Sequence, residues 1–441
     1  MRTAPSRLRC EAGRGPRSGE FGHALLKELG APRSPVIEAF TEVRFKDATA
    51  KMVIPDGAIV CRRGKKTWTC LVEVKTSGAA LPAEQVSAYL DVARDNGFDG
   101  VLTISNQITA SSTESPVAVD GRKLKRAALW HLSWWRVLTT AIVQHRYRGI
   151  SDPDQAWILG ELIAYFDSGA SGAGGFEDMG DKWVTVRTAA HDGTLRQNNP
   201  EARVVAERWE EFTEYLCLGL AQDLGRSVIS PRPRGQVTSA RVDESVKQLA
   251  ADGALSAVLR VPDAVGDIRT RADLRARRTL TSVTIDAPRE GRAKYRINWL
   301  VRQLADAPAD LRVEASYPNA RETTSALLAD AREDAEKLLY PSDPKREPRS
   351  FTLTLGRAMG QKRGKAEGSF VRETRSQTFD FYREIVQRLK PWQPRAPRLR
   401  DWDSDEVPEV PSPEPPRFVD SDVREVGEAA DPLAATDEAE T

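Results

Sequence analysis

The sequence predicts an α/β protein: a mixed sheet flanked by helices near the N-terminus, then a helical segment, a second α/β unit and an acidic disordered tail. Three observations carry this. Up to residue 135 the patterning runs helix, three strands, helix, strand, an order that belongs to a mixed sheet. After residue 226 strand-like and helical stretches alternate again. After Pro391 the composition turns Pro-rich and acidic, too poor in apolar residues to build a core. The boundaries that follow are 1–16 for a basic, disordered N-terminus, 17–135 for the first α/β domain, 136–225 for a helical region, 226–392 for the C-terminal α/β domain and 393–441 for the tail.

Each element has its own signal. Residues 20–29 read as a short helix stopped by Gly30, with Pro32 beyond. Strand-like runs follow at 42–45, 52–62 and 67–75. A helix is expected from Pro82 to Asn96, with proline at its first turn and Gly97 after its last. Strands at 100–105 and 129–132 close the first unit. Helical spacing then marks 133–144, 153–166 and 201–220. The glycine-rich stretch 169–175 lacks the GxGxxG spacing of a dinucleotide loop and reads as a linker. In the C-terminal unit, strands are expected at 255–261, 279–285, 311–315 and 351–355, with helices at 295–305, 323–339 and 378–389.

The chain has 441 residues, of which 40% are hydrophobic, enough for two or three domains with cores. No stretch approaches the roughly 20 apolar residues of a membrane helix. No apolar run follows the basic first residues, so no secretory signal is expected. The four cysteines (Cys10, Cys61, Cys70, Cys217) form no CxxC pair, which fits a reducing cytoplasm and leaves no zinc ribbon. The net charge of +1 hides an asymmetry. Residues 401–441 hold 14 acidic and 2 basic side chains, and residues 345–400 hold 15 basic and 5 acidic ones. A basic body beside an acidic tail points to a polyanion partner, or else to a solvated arginine-rich surface and a solubilising tail.

The segment 52–75 reads MVIPDGAIVCRRGKKTWTCLVEVK. Glycine at the first central position of a two-residue turn, Gly64-Lys65, suits a type II′ hairpin. Partner numbers then sum to 129. Cys61 faces Trp68, Ile59 faces Cys70 and Gly57 faces Val72, so this face is expected to pack on the core. The other face pairs Ala58 with Leu71, Asp56 with Glu73 and Ile54 with Lys75. Two carboxylates facing one another repel, and a divalent cation resolves the repulsion. Two carboxylates with waters and a substrate phosphate suit Mg²⁺. Lys75 shares their side of the strand and is placed to orient water and stabilise phosphorane charge. An ExK triplet by itself is common and weak; Asp56 on the paired strand strengthens it.

This pattern resembles the PD-(D/E)XK nuclease superfamily: Pro55-Asp56, then Glu73-Val74-Lys75 at the end of the next strand. The resemblance implies a restriction-endonuclease-like sheet in residues 17–135. It implies metal binding by Asp56, Glu73 and the Val74 carbonyl, and a catalytic role for Asp56, Glu73 and Lys75. Gln85 and Tyr89, one helical turn apart, are similar to the QxxxY motif of the RecB-like branch, whose side chains contact nucleic acid or support the active-site lysine. Upstream, Gly19 to His23 is similar to the GxxxH of that branch, while Glu20 matches the helical glutamate that completes the metal site in restriction-type members; the choice between Glu20 and His23 stays open.

The remaining motifs are weaker. Gly360 to Lys365 fails the Walker spacing, so no ATPase is expected; Lys362, Arg363 and Lys365 form a basic loop able to grip phosphate. The helix beginning at Tyr295 displays Arg296 and Arg302 on what is expected to be its wet face. Trp130, Trp134 and Trp135 are expected to be core more than base-stacking platforms. Together these readings lead to a Mg²⁺-dependent nuclease, with Mn²⁺ able to substitute, acting on DNA in defence or repair. The alternative is a nucleic-acid-binding or scaffolding protein on a nuclease fold that has lost activity. No membrane is expected as a partner, and a homodimer is left open.

Overall fold

The computed structural model describes residues 19–394, except 34, 47–51, 77, 78, 169, 170 and 235. The expected basic N-terminus (1–16) and nearly all of the expected tail (393–441) lie outside the described residues. The chain begins with α1 (Glu20–Lys27) and β1 (Val36–Thr41), then the short strands β2 (Phe45–Lys46) and β3 (Met52–Val53). The hairpin β4 (Gly57–Arg63) and β5 (Lys66–Val74) follows, then α2 (Ala83–Asn96), β6 (Gly100–Ser105) and β7 (Ala128–Ser133). These strands form a five-stranded sheet of order β1-β4-β5-β6-β7, with β2 and β3 paired apart from it.

The hairpin register is the one that the sequence predicts: Gly57 pairs with Val72, Cys61 with Trp68 and Arg63 with Lys66. Gly64 has φ of 58° while Lys65 is not among the residues with positive φ, as a type II′ turn requires. The α2 crossover makes β6 parallel to β5, and β7 is parallel to β6. The sheet is therefore mixed. Two expected strands are displaced. The first lies at Val36–Thr41 and not at 42–45, because the chain turns at Glu42, whose φ is 51°. The run 52–62 is broken between Val53 and Gly57, where Pro55 has no N–H to give to a ladder.

Both faces of this sheet are buried. On one, Leu26 of α1 packs with Cys61, Cys70, Val72, Leu102 and Ile104. On the other, Val86, Leu90 and Ala93 of α2 cover Ala58, Leu71, Val101 and Leu129. The face that bears Glu73 is thus a second core, as expected where parallel strands carry helices on both sides.

After β7 come α3 (Trp134–Val143) and α4 (Pro153–Asp167), packed through Leu138, Ala141, Ile142, Leu159, Ile163 and Phe166. Local chemistry starts these helices: the Ser133 hydroxyl accepts from the Arg136 N–H, and Asp152 caps α4 with Pro153 at its first turn. Then follow α5 (Trp183–His191), α6 (Pro200–Leu224), α7 (Thr238–Asp252), β8 (Ala254–Leu259), β9 (Ile268–Asp273), β10 (Arg278–Asp286), α8 (Ala293–Gln303), β11 (Arg312–Ser316), β12 (Thr324–Leu327), α9 (Leu328–Glu333), β13 (Ser350–Ala358) and α10 (Phe370–Glu384).

The C-terminal strands form an antiparallel six-stranded sheet, β12-β11-β13-β10-β9-β8. Its core includes Val186 of α5, Trp209 and Phe212 of α6 and Leu249 of α7. The expected helical region 136–225 is therefore shared out: α3 and α4 belong with the first sheet, α5 and α6 with the second. The expected helix 323–339 resolves into β12, α9 and a 3₁₀ turn, because residues 324–327 pair with β11. Arg296 also departs from its expected wet face: it is buried and donates to the carbonyls of Gly291, Arg289 and Pro348.

Among the described residues, no helix is long and apolar enough to cross a membrane.

Candidate active site

The site is built at the C-terminal end of β5. Glu73 is 1% exposed, in the row that β5, β6 and β7 make with Thr103 and His131. Its Oε1 accepts from the Lys75 ammonium, while Oε2 is buried with no hydrogen-bond partner. Lys75 is past the end of β5, yet its backbone is held on both sides. Its N–H donates to the Ile104 carbonyl at 2.8 Å, and its carbonyl accepts from the Trp134 indole N–H at 2.9 Å.

Asp56 comes to the same place by a different device. The ladder stops at Gly57–Val72, so Asp56 is not a strand residue opposite Glu73 as the extended register implies. Its Oδ2 instead accepts from the Val74 N–H at 2.8 Å, which fixes the carboxylate beside the Glu73–Lys75 segment. The segment before it is tied down by α2. The Tyr89 hydroxyl donates to the Ile54 carbonyl at 3.2 Å and accepts from Gln85 Nε2 at 2.7 Å. Burial, followed by the neighbouring Glu73 carboxylate, pushes the Tyr89 phenol well above its ordinary pKa, and Asp56 adds to this. Tyr89 therefore stays a neutral donor.

This placement corrects part of the sequence reading. Tyr89 is 2% exposed, so its hydroxyl supports the 54–56 turn and is closed to nucleic acid. Gln85, half-buried, spends its amide on Tyr89. Glu20 is not brought to the pair. Its Oε1 accepts from the Ser151 hydroxyl at 2.6 Å and the Ser151 N–H at 3.1 Å. Those bonds, the hydroxyl first, lower its carboxyl to about 2. His23 is engaged elsewhere too, with Nε2 2.8 Å from the Pro35 carbonyl. Among the described residues, no group of three or more His, Cys, Asp or Glu is arranged to hold a metal ion. The candidate metal ligands brought together are Asp56 and Glu73, with Val74 between Glu73 and Lys75 in the chain.

The basic loop is also occupied. Arg363 pairs with Asp178 at 3.2 Å and Asp181 at 3.0 Å, and Lys365 with Glu177 at 3.3 Å. Lys362 bridges to Ser369 through its backbone. Arg363 and Lys365 thus face acids of this chain, in exposed pairs that each contribute little to stability. Of the tryptophans, Trp130 packs on Trp68 and Trp135 on Tyr215. Trp134 is the one that reaches the site, a role that no local spacing announces because 59 residues separate it from Lys75.

Do these residues suit a divalent cation? A buried carboxylate oxygen without a donor is the state that a hard cation satisfies. Mg²⁺ commonly takes only one or two protein carboxylates and completes its shell with water and phosphate. Asp56 and Glu73 meet that requirement. No family model matches the sequence, and no curated protein and no solved structure matches it either.

Proposed function

We propose that this protein is a divalent-metal-dependent nuclease of the PD-(D/E)XK type, on a restriction-endonuclease-like core, that hydrolyses phosphodiester bonds of DNA in defence or repair. The observation that carries the reading is the Glu73 carboxylate: 1% exposed, one oxygen without a partner, with Lys75 and Asp56 gathered at the same strand end. A carboxylate buried this deeply beside a lysine, with a second carboxylate at the same strand end, is the arrangement that a hard cation stabilises. The mixed sheet, with the hairpin β4–β5 and the parallel β5–α2–β6 unit, supports the same reading.

When bound, a divalent cation supplies positive charge to the scissile phosphate. Asp56 and Glu73 offer it hard oxygens. The Lys75 ammonium has three donors, so it can turn from Glu73 to a phosphate oxygen as charge builds there. Tyr89 and Gln85 hold the turn that carries Asp56, which keeps the carboxylate in register with Glu73.

The test incubates plasmid, linear duplex, single-stranded DNA and RNA with Mg²⁺ or Mn²⁺. Cleavage is expected with metal and none with EDTA, and Asp56→Asn and Glu73→Gln should each lose about 100-fold or more in rate. Wild-type rates from Asp56→Asn would place the site elsewhere. Binding without cleavage under every metal would favour a nucleic-acid-binding protein on this fold.

A further inference from the structure

We propose that Trp134 is a positioning residue for Lys75: its indole N–H holds the Lys75 carbonyl and so aims the ammonium at the metal and phosphate site. This rests on the nuclease reading for its functional consequence, although the clamp can be tested without it.

The need for a clamp is local. β5 ends at Val74, so Lys75 lies beyond the strand that positions Glu73. A lysine ammonium at the end of a four-carbon stem is placed only as well as the backbone it leaves from. Two bonds supply the support. The Lys75 N–H reaches back into the sheet to the Ile104 carbonyl at 2.8 Å, and the carbonyl is taken by Trp134 Nε1 at 2.9 Å. Both peptide groups flanking the Lys75 Cα are thereby pinned, and the side chain leaves from a fixed point toward Glu73.

Trp134 is itself well anchored. It opens α3, whose first turn is capped by the Ser133 hydroxyl. Its ring packs on Phe166 of α4, with centroids 5.3 Å apart. The indole thus carries the position of α3 and α4 into the β5 end. An indole donor at this distance has direction as well as reach, and a phenyl ring of similar bulk has neither.

The test uses the full-length chain and Trp134→Phe, which keeps an aromatic ring and removes the donor. Lys75 accessibility is read by mass spectrometry as its acetylation rate with acetic anhydride, and amide hydrogen exchange is read at Lys75. Both should rise several-fold in Trp134→Phe. In Phe166→Leu, which loosens the ring packing and leaves the indole N–H, both should rise far less than in Trp134→Phe. In the cleavage assay, kcat should fall about ten-fold in Trp134→Phe, the rate equivalent of one hydrogen bond, with KM unchanged. The same substitution should add no further loss in a Lys75→Arg background. Where Trp134→Phe fails to fold by circular dichroism, Trp134→Tyr, which also lacks the indole donor, takes its place.

Wild-type labelling at Lys75 in the variant overturns the proposal, and so does an equal rise in Phe166→Leu. A variant that cuts at the wild-type rate overturns it too. Faster labelling in a protein whose wild type cuts nothing leaves the clamp standing and removes the nuclease reading.

Discussion

Asp56 serves the site twice, as a charge and as a hydrogen-bond acceptor, and the two uses can be separated. Asp56→Asn keeps an oxygen for the Val74 N–H and removes the charge, so it should abolish metal-dependent cleavage with little change in stability. Asp56→Ala removes both, and should in addition cost about 1 kcal/mol in urea denaturation. If the two variants are equally stable, the bond to Val74 contributes nothing. Tyr89 carries a similar argument. Tyr89→Phe removes the donor to the Ile54 carbonyl while leaving the ring in its cluster. It should raise the Mg²⁺ concentration needed for half-maximal cleavage several-fold, because the turn bearing Asp56 loosens. Calorimetric titration with Mg²⁺ checks this, and an unchanged affinity alongside weaker DNA binding would return Tyr89 to the substrate. The thiols are a quieter case: burial pushes Cys61 up to about 11 and Cys70 higher still, so neither is a reactive cysteine.

At the scale of elements, the parallel strands β5, β6 and β7 carry a polar row through an otherwise apolar sheet. Glu73, Thr103 and His131 stand in register across them. His131 is fully buried, with Nδ1 2.9 Å from the Thr103 hydroxyl and Nε2 2.8 Å from the Gln107 carbonyl. A carbonyl only accepts, so Nε2 carries the proton, and the single Thr103 hydroxyl proton is shared between Nδ1 and the Trp130 carbonyl at 3.1 Å. Burial pulls the His131 pKa from 6.5 to about 4. The folded value lies below the unfolded one, so the unfolded chain takes up the proton first. The contribution is therefore intact above the unfolded value and shrinks as the pH falls toward the folded one, by roughly 3 kcal/mol at the acid end. His131→Gln should lose part of this pH dependence. Urea midpoints of the two proteins from about pH 7 to about pH 4.5 decide it, and parallel profiles would refute the assignment. The hairpin β4–β5 sits beside this row and was legible in advance, because its turn and its alternation are both local. The interruption at Pro55 carried a local signal too, yet an unbroken strand is what the apolar pattern suggests. β12 had no such signal: it reads as helix until β11 is there to pair with it.

Across the whole molecule, the two sheets are joined through α3 and α6. Arg136 of α3 pairs with Glu214 of α6, and with Glu28 at 3.1 Å. Its side chain is 18% exposed and that of Glu214 is 10%. Gln222 of α6 donates to the Thr139 hydroxyl of α3 at 2.8 Å. Burial raises the Glu214 pKa, and the Arg136 guanidinium opposes that rise. Removing Arg136 leaves a buried carboxylate without its main partner, so Arg136→Met should destabilise the protein by about 3 kcal/mol near neutral pH. The deficit should narrow in acid, where Glu214 takes up a proton and the folded state no longer carries the buried charge. Urea denaturation at two pH values checks both parts; a loss below about 1 kcal/mol would make the pair incidental.

By itself the sequence determined the α/β class, the register of the β4–β5 hairpin and the placement of Glu73 and Lys75 at the end of β5. These follow from a two-residue turn and period-two alternation, which act over a few residues. Tertiary structure decided the rest. α2 turns the face bearing Glu73 into a second core, and Glu20 goes to Ser151 when α1 meets the start of α4. Arg363 and Lys365 of the 362–365 loop go to Glu177, Asp178 and Asp181. Trp134 reaches Lys75 only because β6 and β7 stack in parallel beside β5 and bring the start of α3 to the same edge. Each of these depends on which groups are left to meet once the layers have packed, and no spacing along the chain encodes that.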